Sequence, residues 1–288
     1  MDVGIGLPAT IPGVDGREIV AWARLGEERG FASLGTIDRL VYGNHEPLTA
    51  LAAAAAVTQR ARLTTAILIA PLRSNAALLA KQAATVDSIS GGRLVLGMAV
   101  GGREDDYAAS GVDFHRRGRL LDAQLEEMHH IWAGESRGVA GAVGPATRQR
   151  GGPSVVLGGQ NPAALARVAR WGDGWISGGG GPQFFAAGAT AAAAAWDEAG
   201  REGRPRLLAM AYFALGLDAT DRANAYLRDY YAFAPGVVDM IAGGALTSAG
   251  AVQGAVEAFA AAGCDELILF PCSPEISQVD LLAEAVSR

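Results

Sequence analysis

The chain has 288 residues, of which 50% are hydrophobic and 19% are charged, a composition typical of a well-buried globular core. The formal net charge of −6 and the absence of any Lys/Arg block argue against a nucleic-acid or anionic-membrane surface. The first residues lack the basic region of a signal peptide, and no run reaches the ~18 apolar residues of a membrane helix. We therefore expect a soluble, cytoplasmic protein that binds neither nucleic acid nor membrane.

Short apolar runs alternate with longer amphipathic runs along the chain. Eight short runs are predicted as strands: Val3–Leu7, Ser33–Thr36, Arg62–Ile69, Arg93–Val100, Ser154–Leu157, Gly174–Ser177, Arg206–Leu215 and Glu266–Phe270. Several are apolar on consecutive residues, which is typical of strands covered on both faces in a parallel sheet. The stretches between them are predicted as helices: Gly16–Arg29, Pro47–Thr58, Asn75–Ser90, Gly118–Ala133, Pro162–Trp171, Pro182–Gly200, Asp221–Phe233 with Ser248–Ala261, and Glu275–Ser287.

This alternation predicts an α/β fold, a (β/α)8 TIM barrel that forms a single domain over residues 1–288. A doubly wound open sheet is the alternative, but no dinucleotide fingerprint follows the first strand. The polar, Gly- and Arg-rich segment Glu135–Gly152 is predicted as a surface hairpin at the bottom face. Cys264 and Cys272 would lie roughly 25 Å apart along the last strand, which predicts two free thiols in a reducing compartment.

Glycines gather where the fourth, fifth and sixth predicted strands end. In a barrel, the loops at the carboxyl ends of the strands build the active site. Glycine lets backbone N–H groups approach a ligand, and the next helix points its positive end there, so the pattern predicts a phosphate or an extended anionic cofactor. Tight turns are the alternative interpretation. The prediction requires these turns on one rim and a mouth that side chains do not fill. The residues are Gly101-Gly102-Arg103, Gly158-Gly159-Gln160 and Gly178-Gly179-Gly180-Gly181.

Side-chain chemistry is sparse at the other strand ends. The only lysine, Lys81, lies within a predicted helix, which excludes Schiff-base catalysis at a strand end. None of the four histidines closes a strand, so no metal site is predicted, and there is no CxxC pair or nucleophile elbow. If the chain is an enzyme, a cofactor must carry most of the reaction.

The segments Gln82–Gly134 and Leu157–Pro182 resemble the two signature regions of the bacterial luciferase-like family of flavin-dependent oxidoreductases. "RGFASLGTIDRL" and "AGCDELILFP" are also similar to the family's second and eighth strands. The second signature lies in "LGGQNPAALARVARWGDGWISGGGGP", Leu157–Pro182. The residues that carry the first are Gln82, Ala83, Asp87, Ser90, Gly92, Arg93, Leu94, Leu96, Gly97, Gly102, Tyr107, Gly111, Arg117 and Trp132.

The resemblance implies a barrel that binds FMN, or alternatively the deazaflavin coenzyme F420, at the carboxyl rim. Arg103 would meet the cofactor phosphate with Gly159 and Gln160. The remaining rim residues would also bind the cofactor: Val100, Gly101, Gly102, Gly158, Gly178, Gly179 and Gly180. Ala70-Pro71 would lie against the ring system, where the family often has a strained peptide bond. Asp38 would lie at the polar edge of the ring or on the substrate side as the catalytic residue, or else serve as a helix or loop cap.

The chain departs from the family's pattern at three of these sites, one of which is Gly101-Gly102, where a bulkier residue is common. Many deazaflavin-dependent members have histidine after the strand-two aspartate, whereas this chain has Arg39. This weakens the deazaflavin interpretation and leaves no evident general acid. Asn161-Pro162 stands where the second signature often carries a phosphate-binding hydroxyl.

Three functions follow from the resemblance. The first is a monooxygenase that uses reduced FMN, supplied by a separate flavin reductase, and O2 on a small organic substrate. The second is hydride transfer with coenzyme F420, and the third is a non-catalytic flavin-binding barrel.

Two further features carry expectations. The aromatic run at Asp229–Phe233 lines a substrate lid, or else belongs to a core or an interface. The alanine-rich helices favour a homodimer.

Overall fold

The computed structural model describes residues 1–287, and all of its strands belong to one parallel sheet. The strands are β1 Asp2–Gly6, β2 Ser33–Thr36, β3 Arg62–Thr65, β4 Leu68–Ile69, β5 Leu94–Ala99, β6 Ser154–Gly158, β7 Gly174–Ser177, β8 Arg206–Phe213 and β9 Glu266–Pro271. Neighbours pair in chain order, and β9 pairs with β1, so the sheet closes on itself. The predicted (β/α)8 barrel is confirmed.

The third predicted strand is divided in two. β3 and β4 both pair with β5, through Leu63 opposite Leu94 and Leu68 opposite Met98, and so occupy one barrel position. The division falls at Ala66 and Ile67, which are joined by a cis peptide bond.

Every predicted helix is present within residues 1–287, with ends shifted by no more than three residues, and that part of the chain has two more. The helices are α1 Gly16–Glu28, α2 Pro47–Val57, α3 Ala76–Ser90, α4 Glu104–Ser110, α5 Arg117–Trp132, α6 Pro162–Trp171, α7 Gly181–Glu198, α8 Ala219–Tyr230, α9 Val238–Gly243, α10 Ala249–Ala261 and α11 Ser277–Val286. α4 and α9 were not predicted. Short 3₁₀ turns cover Pro8–Thr10, Ala70–Leu72 and Phe114–Arg116.

The barrel interior is packed by large residues of β8 and β9 against glycines of β1 and β2. Cβ atoms built on Gly6 and Gly35 would lie 2.2 and 2.8 Å from the Phe270 ring, so only glycine leaves room for it. At the opposite end, the buried Glu266 carboxylate accepts from Arg206 and, at 3.2 Å, from Arg62. This ion cluster closes the amino-terminal end of the barrel.

The first signature region supports the fold at that same end. Asp87, which is fully buried, accepts hydrogen bonds from the Arg148 and Gln149 backbone N–H groups. Arg93 donates to the Ala61 and Thr58 carbonyls. Asp87 thus holds the connection before β6, in which an antiparallel bridge forms the predicted hairpin, and Arg93 holds the connection between α2 and β3.

Two further expectations concern the whole chain. Of the helices within residues 1–287, none combines the length and apolar character needed to cross a membrane. Cys264 and Cys272 are buried free thiols, as predicted. Burial raises the pKa of Cys264 to about 12, so this thiol stays protonated at neutral pH.

Candidate functional site

Three glycine-containing turns lie side by side on the carboxyl rim of the barrel. They follow β5, β6 and β7, which are consecutive neighbours in the parallel sheet, so their carboxyl ends meet at one edge. The predicted gathering of glycines on one rim is therefore confirmed. The backbone N–H groups of these turns and the start of α7, an 18-residue helix, share this edge. Such a surface favours negative charge.

The turn after β5 begins at Val100, whose carbonyl accepts a hydrogen bond from the Tyr107 hydroxyl. Gly101 has a φ of +64°, and a Cβ atom there would lie 3.0 Å from the Ile69 side chain. A Cβ atom on Gly102 would meet no atom within 4 Å. The turn is thus packed on one side and open on the other.

The turn after β6 is held by its neighbours. Gly158 is half-buried, and Gly159 has a φ of +116°, a backbone conformation that glycine adopts without strain. The Trp175 indole N–H donates to the Gly159 carbonyl at 2.8 Å, and the Gln160 amide lies 3.4 Å from the Phe184 carbonyl. The Asn161 side chain, which stands where the family often has a phosphate-binding hydroxyl, accepts from the Ala164 N–H and caps α6.

The turn after β7 is the most open of the three. Cβ atoms built on Gly178 and Gly179 would meet nothing within 4 Å. Gly180, with a φ of +127°, is the N-cap of α7. These glycines leave free space directly in front of the amino-terminal end of a long helix.

Asp38 lies behind the rim and is 4% exposed. Its Oδ2 accepts from the Ile69 N–H at 2.8 Å and from Arg73 Nη1 at 2.6 Å, and its Oδ1 from Arg73 Nη2 at 3.3 Å. Burial raises the pKa of this carboxyl, and Arg73 and the Ile69 N–H oppose the rise. Both oxygens are engaged in holding β4 to β2, which fits the loop-cap alternative. The catalytic role stays a prediction.

Ala70 and Pro71 form a buried 3₁₀ turn that packs toward α5. The Ala70 carbonyl accepts from the Gln124 amide at 3.2 Å, and Pro71 borders an outer cavity of about 350 Å³. The cis peptide bond joins Ala66 to Ile67, so the expected position of the unusual bond at Ala70-Pro71 is wrong. The predicted contact of Ala70-Pro71 with a ring system stays a prediction.

Two arginines and a group of aromatic rings cover the other half of the mouth. The Arg103 guanidinium carbon lies 4.7 Å from the Tyr230 ring centroid and 4.2 Å from that of Phe233. Arg39 lies over Tyr42 at 4.6 Å, and its Nη1 donates to the Tyr230 carbonyl at 2.9 Å. These contacts join the connections that follow β2, β5 and β8. We did not predict this cluster as a unit.

The mouth therefore has two unlike halves. Near β8 and β9, Phe270 and Tyr212 fill the barrel, and the Tyr212 and Tyr231 hydroxyls are 2.8 Å apart. Near β5 to β7, Ala99 and Val100 are partly exposed beside the glycine turns. The requirement of an unfilled mouth is met on the glycine side and is not met on the aromatic side.

Two observations show that the glycine side fits a phosphate-tailed cofactor. The space above Gly102, Gly178 and Gly179 is free, so a ligand can approach the backbone there. Arg103 is 8% exposed, and its Nε has no hydrogen-bond acceptor in the part of the chain that the structure describes. A nearly buried cation with a spare donor is suited to an anion.

The remaining residues considered in the sequence are the possible metal ligands and Lys81. Among residues 1–287, no group of three or more His, Cys, Asp or Glu side chains is placed to hold a metal ion. Lys81 donates to the Gly144 carbonyl on the outer surface of the barrel.

Comparison with known proteins gives the chain relatives over most of its length. Over 191 residues it is 29% identical to the F420-dependent glucose-6-phosphate dehydrogenase of Nocardia farcinica. This match covers 61% of this chain and 57% of that protein. It is 35% identical to an uncharacterised protein of Mycobacterium tuberculosis over 48% of this chain, and spans about half (49%) of that relative's length.

A solved structure matches the entire fold. The monooxygenase RslO1 of Streptomyces bottropensis superposes with a TM-score of 0.78 at 23% identity, over 100% of this chain and 99% of that one. The model of the family described as luciferase-like monooxygenase matches residues 1–267. With its closed parallel barrel and its glycine turns on the carboxyl rim, the chain belongs to the luciferase-like monooxygenase family.

Proposed function

We propose that the chain is a monooxygenase that uses reduced FMN and O2 on a small organic substrate. The observation that carries the proposal is the open glycine rim of β5, β6 and β7, beside a nearly buried Arg103. Backbone N–H groups of this rim, with Gln160 and Arg103, would hold the phosphate. The bound cofactor would supply the oxygen chemistry, because the chain offers few titratable groups of its own at the strand ends.

The chain's own residues would bind, orient and exclude water. Asp38 and Arg73 fix the end of β4, against which the ring system would lie. The apolar strand ends Ile69, Met98 and Leu157 are buried around that position and keep water away. A separate flavin reductase would supply the reduced cofactor.

The second candidate is hydride transfer with coenzyme F420. It is favoured by the similarity to the F420-dependent glucose-6-phosphate dehydrogenase. Arg39, which stands where many deazaflavin-dependent members have histidine, argues against it. Both cofactors carry phosphate, so the same glycine rim would receive either.

Titration of the purified protein with FMN, reduced FMN and F420, followed by absorbance, tests both candidates. O2 consumption above the rate of free reduced FMN, with an oxygenated product formed from a candidate substrate, supports the first, and binding of F420 without binding of FMN supports the second. Binding without turnover supports the non-catalytic barrel. If none of the three cofactors binds, the proposal is contradicted.

A matched pair of glycine variants shows whether binding occurs at the rim. Gly179→Ala fills free space in front of α7, so we expect the fold to persist and cofactor affinity to fall about tenfold. Gly254→Ala on the outer face of α10 also meets no neighbour within 4 Å, and should leave affinity unchanged. Equal affinities in both variants would place the cofactor elsewhere.

A further inference from the structure

Arg39 is a nearly buried cation whose donors are not all used. Its side chain is 9% exposed, and its Nη2 lies 3.6 Å from the Asp105 carboxylate, beyond hydrogen-bond length. Within the described residues 1–287, its Nε has no acceptor. A guanidinium has five N–H donors, and only Nη1 makes a hydrogen bond, to the Tyr230 carbonyl. Burying such a group is costly unless an anion completes its bonding.

The neighbouring carboxylates are engaged with other donors. Asp38 accepts from Arg73 and from the Ile69 N–H. Asp106, which is fully buried, accepts from the Leu40 and Val41 N–H groups on Oδ1. Its Oδ2 has no hydrogen-bond donor within residues 1–287 and faces Arg103, whose Nη1 lies 4.0 Å away. Asp229 accepts from the Tyr42 hydroxyl. Within residues 1–287 none of these carboxylates accepts a hydrogen bond from Arg39, so its remaining donors are available to an acceptor from a ligand.

Aromatic rings fix the guanidinium and line its surroundings. The Tyr42, Tyr230 and Phe233 ring centroids lie 4.6, 5.6 and 5.7 Å from its central carbon. Stacking of this kind orients the plane of arginine and suits the planar, two-point binding of a carboxylate or phosphate. Phe233 is 40% exposed, so the cover over Arg39 is itself at the surface.

We propose that Arg39 binds the anionic group, a carboxylate or a phosphate monoester, of a ring-bearing substrate. Arg39 is then a specificity-determining residue at the mouth, while Arg103 serves the cofactor phosphate. The inference rests on the proposed function, because the ligand of Arg39 is a substrate only if the chain is the proposed enzyme. The ligand accepts from the Nε and Nη2 donors that the hydrogen bond to the Tyr230 carbonyl leaves unused, and its ring packs among Tyr42 and Phe233.

Calorimetric titration without cofactor tests the inference with three probes: benzoate, phenyl phosphate and benzyl alcohol. We expect one or both anions to bind about tenfold or more tightly than benzyl alcohol. The two anions show whether the site takes carboxylate or phosphate. If benzyl alcohol binds as well as both anions, or if neither anion binds at millimolar concentration, the inference is wrong.

Variants separate recognition from a merely structural role. Arg39→Gln should abolish the preference for anions and leave benzyl alcohol binding within about threefold, whereas Arg39→Lys, which keeps the charge, should retain part of it. The matched control is Arg170→Gln, because Arg170 stacks on Trp171 at 4.5 Å on the outer surface. This control should bind all probes like the parent protein. If Arg39→Gln does not fold, the test is made with Arg39→Lys. An anion affinity of Arg39→Lys equal to that of the parent protein would contradict the planar two-point contact.

Failure of the inference can be told from failure of the proposed function. FMN and F420 binding are measured on the same variants, and Arg39→Gln should leave both within about threefold while Arg103→Gln weakens them. A parent protein that binds anions through Arg39 but no cofactor refutes the proposed function alone. One that binds cofactor but shows no anion preference refutes only the inference.

Discussion

Asp38 illustrates how a single buried carboxylate can hold two connections of the barrel together. It follows β2, yet its oxygens bind the backbone of Ile69 at the end of β4 and the guanidinium of Arg73 just beyond it. Arg73 also donates to Glu46 at 2.8 Å. The position of the rim near β4 therefore depends on this residue.

Removing the carboxylate should leave a largely buried guanidinium and an unpaired N–H. We expect Asp38→Ala to lower the free energy of unfolding by about 3 kcal/mol, measured by urea denaturation. Glu46→Gln removes the more exposed partner of the same arginine and should cost less than about 1 kcal/mol. Equal losses in the two variants would contradict the anchoring role.

His129 is half-buried, although it lies off the apolar stripe of α5 that Leu121, Leu125, Met128 and Trp132 form. Its ring stacks on Trp171 with centroids 5.2 Å apart. Burial lowers the pKa of this imidazole below its ordinary value of 6.5. The stripe does not reveal the stack, because Trp171 belongs to another helix, α6.

This shift gives a pH dependence with a defined sign. The unfolded chain takes up the proton more readily than the folded one, so the contribution of His129 is complete above about pH 6.5 and is lost as the pH falls below it. We expect His129→Gln to reduce the decline of the melting temperature on acidification. His115→Gln, at an exposed position, should follow the parent protein. Parallel curves for all three proteins would refute the assignment.

At the scale of elements, β1, β2 and β9 depend on one another through the barrel interior. Gly6 and Gly35 stand where any larger residue would overlap the Phe270 ring. The ring in turn fills the mouth on the aromatic side. A small residue on one strand is thus required by a large residue on another.

The dependence can be measured with a double-mutant cycle. A Cβ atom at Gly6 would lie 2.2 Å from Phe270 Cδ1, so Gly6→Ala should destabilise the protein by about 1–3 kcal/mol. Combining it with Phe270→Leu should recover part of that loss, so the two effects would not add. Additive free energies, measured by denaturant unfolding, would show that the two residues do not conflict.

The elements that could be predicted from sequence are those with long, regular patterns. Apolar runs identified the barrel strands, but the division of β3 from β4 lies within one such run and leaves no mark in it. α4 was missed because the glycines before it indicated a loop. Its first turn carries Glu104, Asp105 and Asp106, a helix-start signal that could have located it. α9 has only six residues, too few for a period.

The glycine rim was predictable because parallel neighbours bring their carboxyl ends to one edge. The arginine–aromatic cluster was not, because it depends on contacts between distant parts of the chain. Arg39 and Tyr230 are 191 residues apart, and only the closed barrel brings them together. The aspartate–arginine pair at Asp38 likewise needs the relative position of two connections.

At the scale of the whole molecule, the outer helices offer a surface for self-association. α6 and α7 form a groove lined by small side chains that include Ala166, Ala169, Ala191 and Ala194. Small side chains allow two copies to approach closely. The homodimer expected from the alanine-rich sequence stays a prediction, and this groove is where we place it.

Light scattering of the purified protein should give twice the chain mass of 29.5 kDa. Ala194→Arg, at an exposed position in the groove, should reduce the mass to that of one chain through charge and bulk. Ala140→Arg, on the exposed hairpin, is the control and should keep the double mass. A parent protein with the mass of a single chain would refute the expectation.

Arg39 and Arg103 both stack on Tyr230 and Phe233, and this has a consequence for binding at the two guanidinium groups. A molecule that shifts these rings at one guanidinium also changes the environment of the other. Thermodynamic linkage then makes the two occupancies interdependent, and the factor by which the first alters the second must equal the reverse factor. Equilibrium titration of each ligand at several fixed concentrations of the other should accordingly show that the apparent affinity of one changes with the occupancy of the other.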